Sequence, residues 1–296
     1  MPLYHHPRPP TALLSSFLPN SLPVLNAALS PSTLIYASFP PRDDGLATSP
    51  SDLPWVIIAS LGTDQLRPVC SLEASAHQLS DTEVQDGLAI LLSCIDIYCR
   101  DFAPPIGERP TLRVGAVNRI WYDGFVKLYP CLDGINFVYL APPLPADLKD
   151  SVRDADDALP ERMEFGPVRE QDIPEVVRTS GVPHSPAYLS SRLGHSSAVF
   201  DQQQLVAHCF SHRDGSVGTL HVAPSHRRLG LARFLVRARA LQEPGLGALA
   251  YVNERNAASR ALMRKIGWTE GWQCCWFGVN RACIEAQQPG ESVGGL

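Results

Sequence analysis

Residues 218–240 read GTLHVAPSHRRLGLARFLVRARA, and this stretch limits the chain to few folds. Residues 217–222 have the composition of a strand, 223–229 form a basic turn, and a helix opens near Gly230. Leu231, Phe234, Leu235, Ala238 and Leu241 recur at offsets 0, 3, 4, 7 and 10, which is one face of a 3.6-residue helix. A strand that runs through a short turn into an amphipathic helix predicts a mixed α/β fold. Arg227, Arg228 and Arg233 gather where the helix begins. A helix N-terminus presents unpaired N–H groups and a partial positive charge, so it attracts phosphate. Gly230 lets a ligand approach the backbone closely.

The rest of the composition narrows the class. A chain of 296 residues suits about two domains. No apolar run approaches the roughly 18 residues of a membrane helix, so no membrane role is expected. Eight cysteines stand at 70, 94, 99, 131, 209, 274, 275 and 283, with no CxxC pair. That spacing predicts neither a zinc site nor a disulfide framework, and such cysteines suit a reducing compartment. We expect no metal and a cytoplasmic location. The first 40 residues hold no acid but only one arginine, Arg8, fewer than a mitochondrial transit peptide carries. Prolines interrupt every candidate signal-peptide core.

Charge is uneven along the chain. Residues 1–165 carry 11 basic and 20 acidic side chains, whereas 166–283 carry 14 and 8. A basic second half that holds the phosphate-like turn fits a small polyanion. Nucleic acid is not expected, since the excess is small and no aromatic residues interleave with a basic stripe.

Helix and strand signals follow in order. Apolar groups at 12–18 and 24–29 read as a short opening helix, and 33–39 and 55–61 as strands, with 68–75 as a partner. Residues 79–98 form the first long helix, capped by Ser80 with Glu83 in a capping box. Residues 111–129 are ambiguous between a strand followed by a helix and a bent helix. A strand at 136–140 ends the first half, and 142–165 reads as an acidic linker. A strand starting at Val168, helices at 172–180 and 186–193, and strands at 197–200 and 205–211 then precede the opening motif. After it come a strand at 249–252, a helix at 257–266 and a strand at 269–279, with 284–296 as a disordered tail.

These residues carry a resemblance. Arg227-Arg-Leu-Gly-Leu-Ala232 resembles the Q/R-x-x-G-x-G/A signature of the GNAT acyltransferase superfamily. Asn256-Ala-Ala-Ser259, followed by Leu262 and Ile266-Gly-Trp268, is similar to that superfamily's second cofactor-binding element. More narrowly, the chain resembles the glycine N-acyltransferase-like family and its fungal relatives. The resemblance implies a GNAT fold over 166–283 and a degenerate GNAT-like domain over 1–141. It implies acetyl-CoA or another acyl-CoA as co-substrate and an amine, on a small molecule or amino acid, as acceptor. A protein amine is an alternative acceptor, and a non-catalytic acyl-CoA-binding protein is an alternative function. Backbone groups near His221, Val222 and Ala223 would pair with pantetheine, 227–232 with Arg227, Arg228, Leu229, Gly230, Leu231 and Ala232 would hold pyrophosphate beside Arg233, and Asn256 and Ser259 would reach the cofactor.

The proton-handling positions depart from the resemblance. Ser216 stands where many members place a glutamate base, and Met263 where a thiolate-protonating tyrosine is usual. Three explanations stay open: a base from elsewhere, proximity of thioester and amine alone, or binding without turnover. For the first, His221 is a candidate base, since strict alternation puts it on one face with Val217 and Thr219 and imidazole titrates near neutrality. His208, His212 and Asp214 are other candidates. Trp121, Tyr122, Tyr188 and Trp276 could line an acceptor pocket, although such aromatics are commonly core.

Overall fold

The computed structural model describes residues 2–41, 54–104, 111–142, 159–242 and 247–281. In chain order the elements are β1 (Tyr4–His6), α1 (Thr11–Ser16), α2 (Leu22–Ala27), β2 (Thr33–Ala37), β3 (Val56–Leu61), β4 (Gln65–Cys70), α3 (Asp81–Ile97), β5 (Thr111–Asn118), α4 (Tyr122–Leu128) and β6 (Cys131–Leu140). They continue with β7 (Met163–Gly166), α5 (Ile173–Thr179), α6 (Pro186–Ser190), β8 (Ser196–Asp201), β9 (Gln204–Ser211), β10 (Val217–Val222), α7 (Leu231–Gln242), β11 (Leu249–Asn253), α8 (Ala257–Lys265) and β12 (Thr269–Asn280). The chain forms two compact units, Met1–Ile135 with Gln273–Leu296, and Asn136–Trp272. The path enters the second unit within β6 and returns within β12.

In the first unit the strand order is β1-β2-β3-β4-β5-β12, antiparallel except for the parallel β4–β5 step. All six residues of β3 are buried, which is why its sequence is a continuous apolar run. Val56 and Ile58 pack with Leu91 and Ile95 of α3 on one face. Ile57, Ala59 and Leu61 pack with Leu14, Val24 and Leu25 on the other. The capping box of α3 forms as expected: Ser80 N–H donates to Glu83 Oε2 (2.8 Å), and Glu83 N–H to Ser80 Oγ (3.3 Å). Such a cap is worth about 1 kcal/mol. The opening segment makes two helices rather than one, broken at 17–21, and 71–75 is a 3₁₀ turn beyond β4 rather than strand. Residues 111–129 resolve as strand then helix.

The second unit holds a four-stranded antiparallel sheet ordered β10-β9-β8-β7. Ile173 and Val176 of α5, with Leu189 of α6, cover Ala198, Phe200 and Phe210 on one face. Leu231, Leu235 and Val236 of α7 and Met263 of α8 cover Ala207, Cys209 and Val217 on the other. Leu235 and Val236 are fully buried, each contributing about 1.5–3 kcal/mol over exposure. Residues 136–140, expected to end the first half, instead pair antiparallel with β11 in this unit, Asn136 opposite Asn253 and Leu140 opposite Leu249. Their partner lies over 100 residues downstream, and local pattern carries no trace of it. The strand expected from Val168 is β7, a few residues earlier, so 163–165 of the expected linker pair with β8. Val168 follows it, its N–H donating to Ser196 Oγ at 2.9 Å. Most of that linker, and the tail at 284–296, lie outside the described residues.

Candidate functional site

Strand β10 is interrupted. Val217 lies opposite Ser211 and Gly218 opposite Phe210, but the next pairs are His221 with His208 and Val222 with Ala207. Thr219 and Leu220 therefore face the single residue Cys209, a β-bulge. Thr219 takes φ +50°, an outlier for a β-branched residue that costs on the order of 1–3 kcal/mol and is held only by its surroundings. His208 Nδ1 lies 2.9 Å from the Thr219 carbonyl, which must accept, so Nδ1 carries the proton. His208 Nε2 meets Thr179 Oγ1 at 3.1 Å. His208 is thus a buried neutral clasp on the bulge, its pKa pushed down to about 4 chiefly by burial.

The bulge also corrects the alternation expected for this strand. Ser211 and His208 point to opposite faces of β9, so Val217 and His221 point to opposite faces of β10. Val217 packs with the α7–α8 core, whereas the His221 ring stacks on His208 at 5.7 Å and 23°. Burial, then the Arg227 charge, lower the His221 pKa, while Glu175 of α5 opposes them.

Beyond the bulge β10 presents an open edge. Ala223 N–H donates to Val206 O of β9 at 2.8 Å. By alternation the Val222 peptide groups point the other way, and Val222 O accepts from Arg227 Nε at 3.2 Å. Strands β10 and β11 end separate sheet orders and share only a parallel bridge, Ser216 with Leu249. The two strands that the resemblance takes to flank pantetheine are therefore joined at one point and unpaired beyond it.

At the end of β10 the turn opens a cleft of about 480 Å³, lined by Val222, by His226 to Arg233, and by Leu262 and Lys265 of α8. Arg228 and Gly230 take φ +67° and +81°. Backbone bent this way turns successive N–H groups toward one concave side, a form that binds anions. The first helical bond of α7 runs from Phe234 N–H to Gly230 O, so the N–H groups of its first turn precede the helical ladder. Among the described residues, four cationic side chains line the cleft and no carboxylate does. His226 is fixed from behind, Nε2 lying 3.0 Å from Asp201 Oδ2, which also meets Arg162 Nη2 at 3.2 Å.

Of the expected cofactor residues, Val222, Arg227, Arg228, Leu229, Gly230, Leu231, Ala232 and Arg233 come together on this cleft. Ala223, Asn256 and Ser259 are not in its lining. Asn256 caps α8, its Oδ1 accepting Ser259 N–H at 3.0 Å. Sequence reasoning had Leu262 within the second cofactor-binding element but missed His226 and Lys265. The available signal was the three-residue step from Leu262 to Lys265, which puts both on one helix face.

The expected proton-handling positions are closed off. Ser216 Oγ donates to Asp214 Oδ1 at 2.6 Å, and Ser216 N–H to the same oxygen at 3.2 Å. Both residues are buried, and Tyr251 OH lies 3.4 Å from Asp214 Oδ2. A hydroxyl donating to a carboxylate at the root of the strand bridge has no free proton-accepting role. Met263 lies in the α7–α8 core. Among the expected pocket aromatics, Trp121 is core, its Nε1–H donating to buried Glu73 at 2.9 Å, and Trp276 lies under Arg67 at 5.7 Å. Tyr188 instead joins His184 and His212 in a stack, with centroids 5.1–6.0 Å apart.

Comparison with known proteins places this stretch. The model of the family described as FR47-like protein matches residues 193–277, which run from before β8 through the bulge, turn, cleft and α8 into β12. No curated protein matches the chain. Among solved structures, a Drosophila protein solved by X-ray crystallography is similar with a TM-score of 0.61 at 16% identity, over 94% of this chain and 98% of that one. A GCN5-related N-acetyltransferase-like protein from Streptococcus suis is similar at TM-score 0.44 and 13% identity (91% and 98% covered). So is a GCN5-related N-acetyltransferase from Sphaerobacter thermophilus, at 0.41 and 15% (84% and 80% covered). The chain is a mixed α/β protein that shares its fold with the Drosophila protein over most of its length, and its residues 193–277 match the FR47-like family model.

Proposed function

We propose that this protein is an acyl-CoA-dependent N-acyltransferase of the acetyltransferase type, most like the glycine N-acyltransferase-like family. The cleft at the α7 N-terminus carries the reading. Its cations, positive-φ turn and open helix end suit a pyrophosphate, and it adjoins the strand edge where an extended pantetheine arm can pair with backbone. The acceptor in this reading is the amine of a small molecule or amino acid, and the protein works in the cytoplasm. Holding thioester and amine together supplies part of the rate by itself.

A second reading, acyl-CoA binding without turnover, is favoured by one observation: Ser216 is tied to Asp214 and Met263 is core. The two separate in one assay. Purified protein is incubated with acetyl-CoA and primary amines from ethanolamine to the amino acids, and free thiol is followed. Amine-dependent thiol release is the expected result, and CoA binding without such release refutes the enzyme reading. Gly230→Glu puts a carboxylate into the cleft at φ +81° and should abolish CoA binding in calorimetry. Binding that survives the substitution refutes the site.

A further inference from the structure

Loss of a base at Ser216 leaves the acyl-transfer reading without a group to take the amine proton. Three imidazoles surround the bulge. His208 is clasped at both ring nitrogens, and His221 stacks behind it. His212 is also met at both ring nitrogens, but only by side-chain hydroxyls, and the one at Nε2 belongs to Thr219 on the bulge itself. His212 follows β9, on the same face as His208 and Phe210, and its ring crosses over β10 at Gly218. A Cβ on Gly218 would lie 2.9 Å from His212 Nε2 and 3.2 Å from Cδ2, so any larger residue there would push the ring from this position. Having crossed, Nε2 reaches Thr219 Oγ1 at 3.3 Å, at the bulge itself. Nδ1 is held from α6 by Tyr188 OH at 2.9 Å. His184 stacks on both rings, and Arg213 lies over Tyr188 at 5.5 Å.

We infer that His212, carried across Gly218 to the bulge and oriented by Tyr188, is the general base that deprotonates the acceptor amine. The inference rests on the acyl-transfer reading. In the tautomer with Nδ1–H donating to the Tyr188 oxygen, Nε2 accepts from the Thr219 hydroxyl at the bulge, so a proton can reach it through that hydroxyl. The nitrogen of a neutral amine attacks the thioester carbonyl carbon, forming C–N as the carbonyl π pair moves to oxygen. Nε2 takes the proton that nitrogen sheds. The oxygen pair returns, C–S breaks with its electrons on sulfur, and the imidazolium proton passes to that thiolate. Amide and free thiol leave, and His212 is neutral again. Thr219 positions the ring and passes the proton where the amine does not reach Nε2 directly. Among the described residues, His184 and Tyr188 meet the ring, Arg213 lies over Tyr188, and Arg192 donates to the Ser211 and His212 carbonyls.

The test uses the full chain, acetyl-CoA and the same amines. Wild type that binds CoA but shows no amine-dependent release ends the acyl-transfer reading, and this inference with it, before any variant is made. With active wild type, His212→Ala should lower kcat by roughly 100-fold or more, the usual share of a general base. CoA affinity should hold, and added imidazole should restore part of the rate. Tyr188→Phe should leave KM for acetyl-CoA unchanged while moving the acid limb of the pH–rate profile. A His212→Ala rate within about threefold of wild type overturns the assignment. So does a rate loss matched by lost CoA binding without imidazole rescue. If His212→Ala fails to fold, Tyr188→Phe decides alone, and an unmoved pH profile overturns it.

Discussion

Acidifying the protein from pH 7 to pH 5 tests whether His208 is a neutral clasp on the bulge. Its Nδ1–H donates to the carbonyl of Thr219, a residue at φ +50°. Burial holds its folded pKa near 4, against 6.5 in an exposed chain. The folded state thus refuses a proton that the unfolded state accepts. The stability His208 contributes is present in full above pH 6.5 and is lost as pH falls toward 4. At 1.36 kcal/mol per tenfold change in proton activity, the loss is about 2 kcal/mol by pH 5 and about 3 kcal/mol below pH 4. His208→Gln keeps a donor for the Thr219 carbonyl and does not titrate. Urea unfolding of both proteins at pH 7 and pH 5 is read by hydrogen exchange in peptides of β9 and β10, which reports on the second unit alone. Wild type should lose about 2 kcal/mol more than the variant. Equal losses would refute the claim that His208 is buried, neutral and structural.

The first unit should respond in the opposite direction. Burial raises the Glu73 pKa to about 7, although the N–H groups of Trp121 and Cys70 donate to its Oε1. Its folded form binds a proton that the unfolded form has released, so the stability it contributes at low pH is lost between about pH 4.5 and 7, and Glu73→Gln should flatten that slope in urea unfolding read from α3 peptides. Lys265→Ala should weaken CoA binding less than about fivefold, as expected for an exposed cation, and the remaining affinity should fall less steeply with salt, which calorimetry at two ionic strengths measures. Gly218→Ala should displace the His212 ring, lowering turnover while CoA affinity stays within about twofold; unchanged turnover would mean that the ring's crossing of β10 is incidental.

What could be read from residues alone divides by range. The α7 turn, the Ser80–Glu83 box and the strand character of 56–61 are encoded within a few positions, and the structure has them where local chemistry puts them. The cleft residues 227–233 were legible for the same reason, since turn and helix start are one continuous segment. Lys265 was not, because only packing brings α8 beside that turn. The partner of residues 136–140 lies at 249–253, and the prolines that follow Leu140 in sequence read as the end of a domain. The bulge was the costliest omission. Neither Thr219 nor Leu220 is a residue that marks an irregular strand, so period-2 alternation ran straight through them and put His221 with Val217. One extra residue reverses every face beyond it. The signal that survives is Gly218, a glycine inside a strand, which marks close approach by another group. That group is His212, six residues earlier in sequence and adjacent only through the β9–β10 pairing, so in the proposed acyl-transfer reading the base need not be sought on β10 at all.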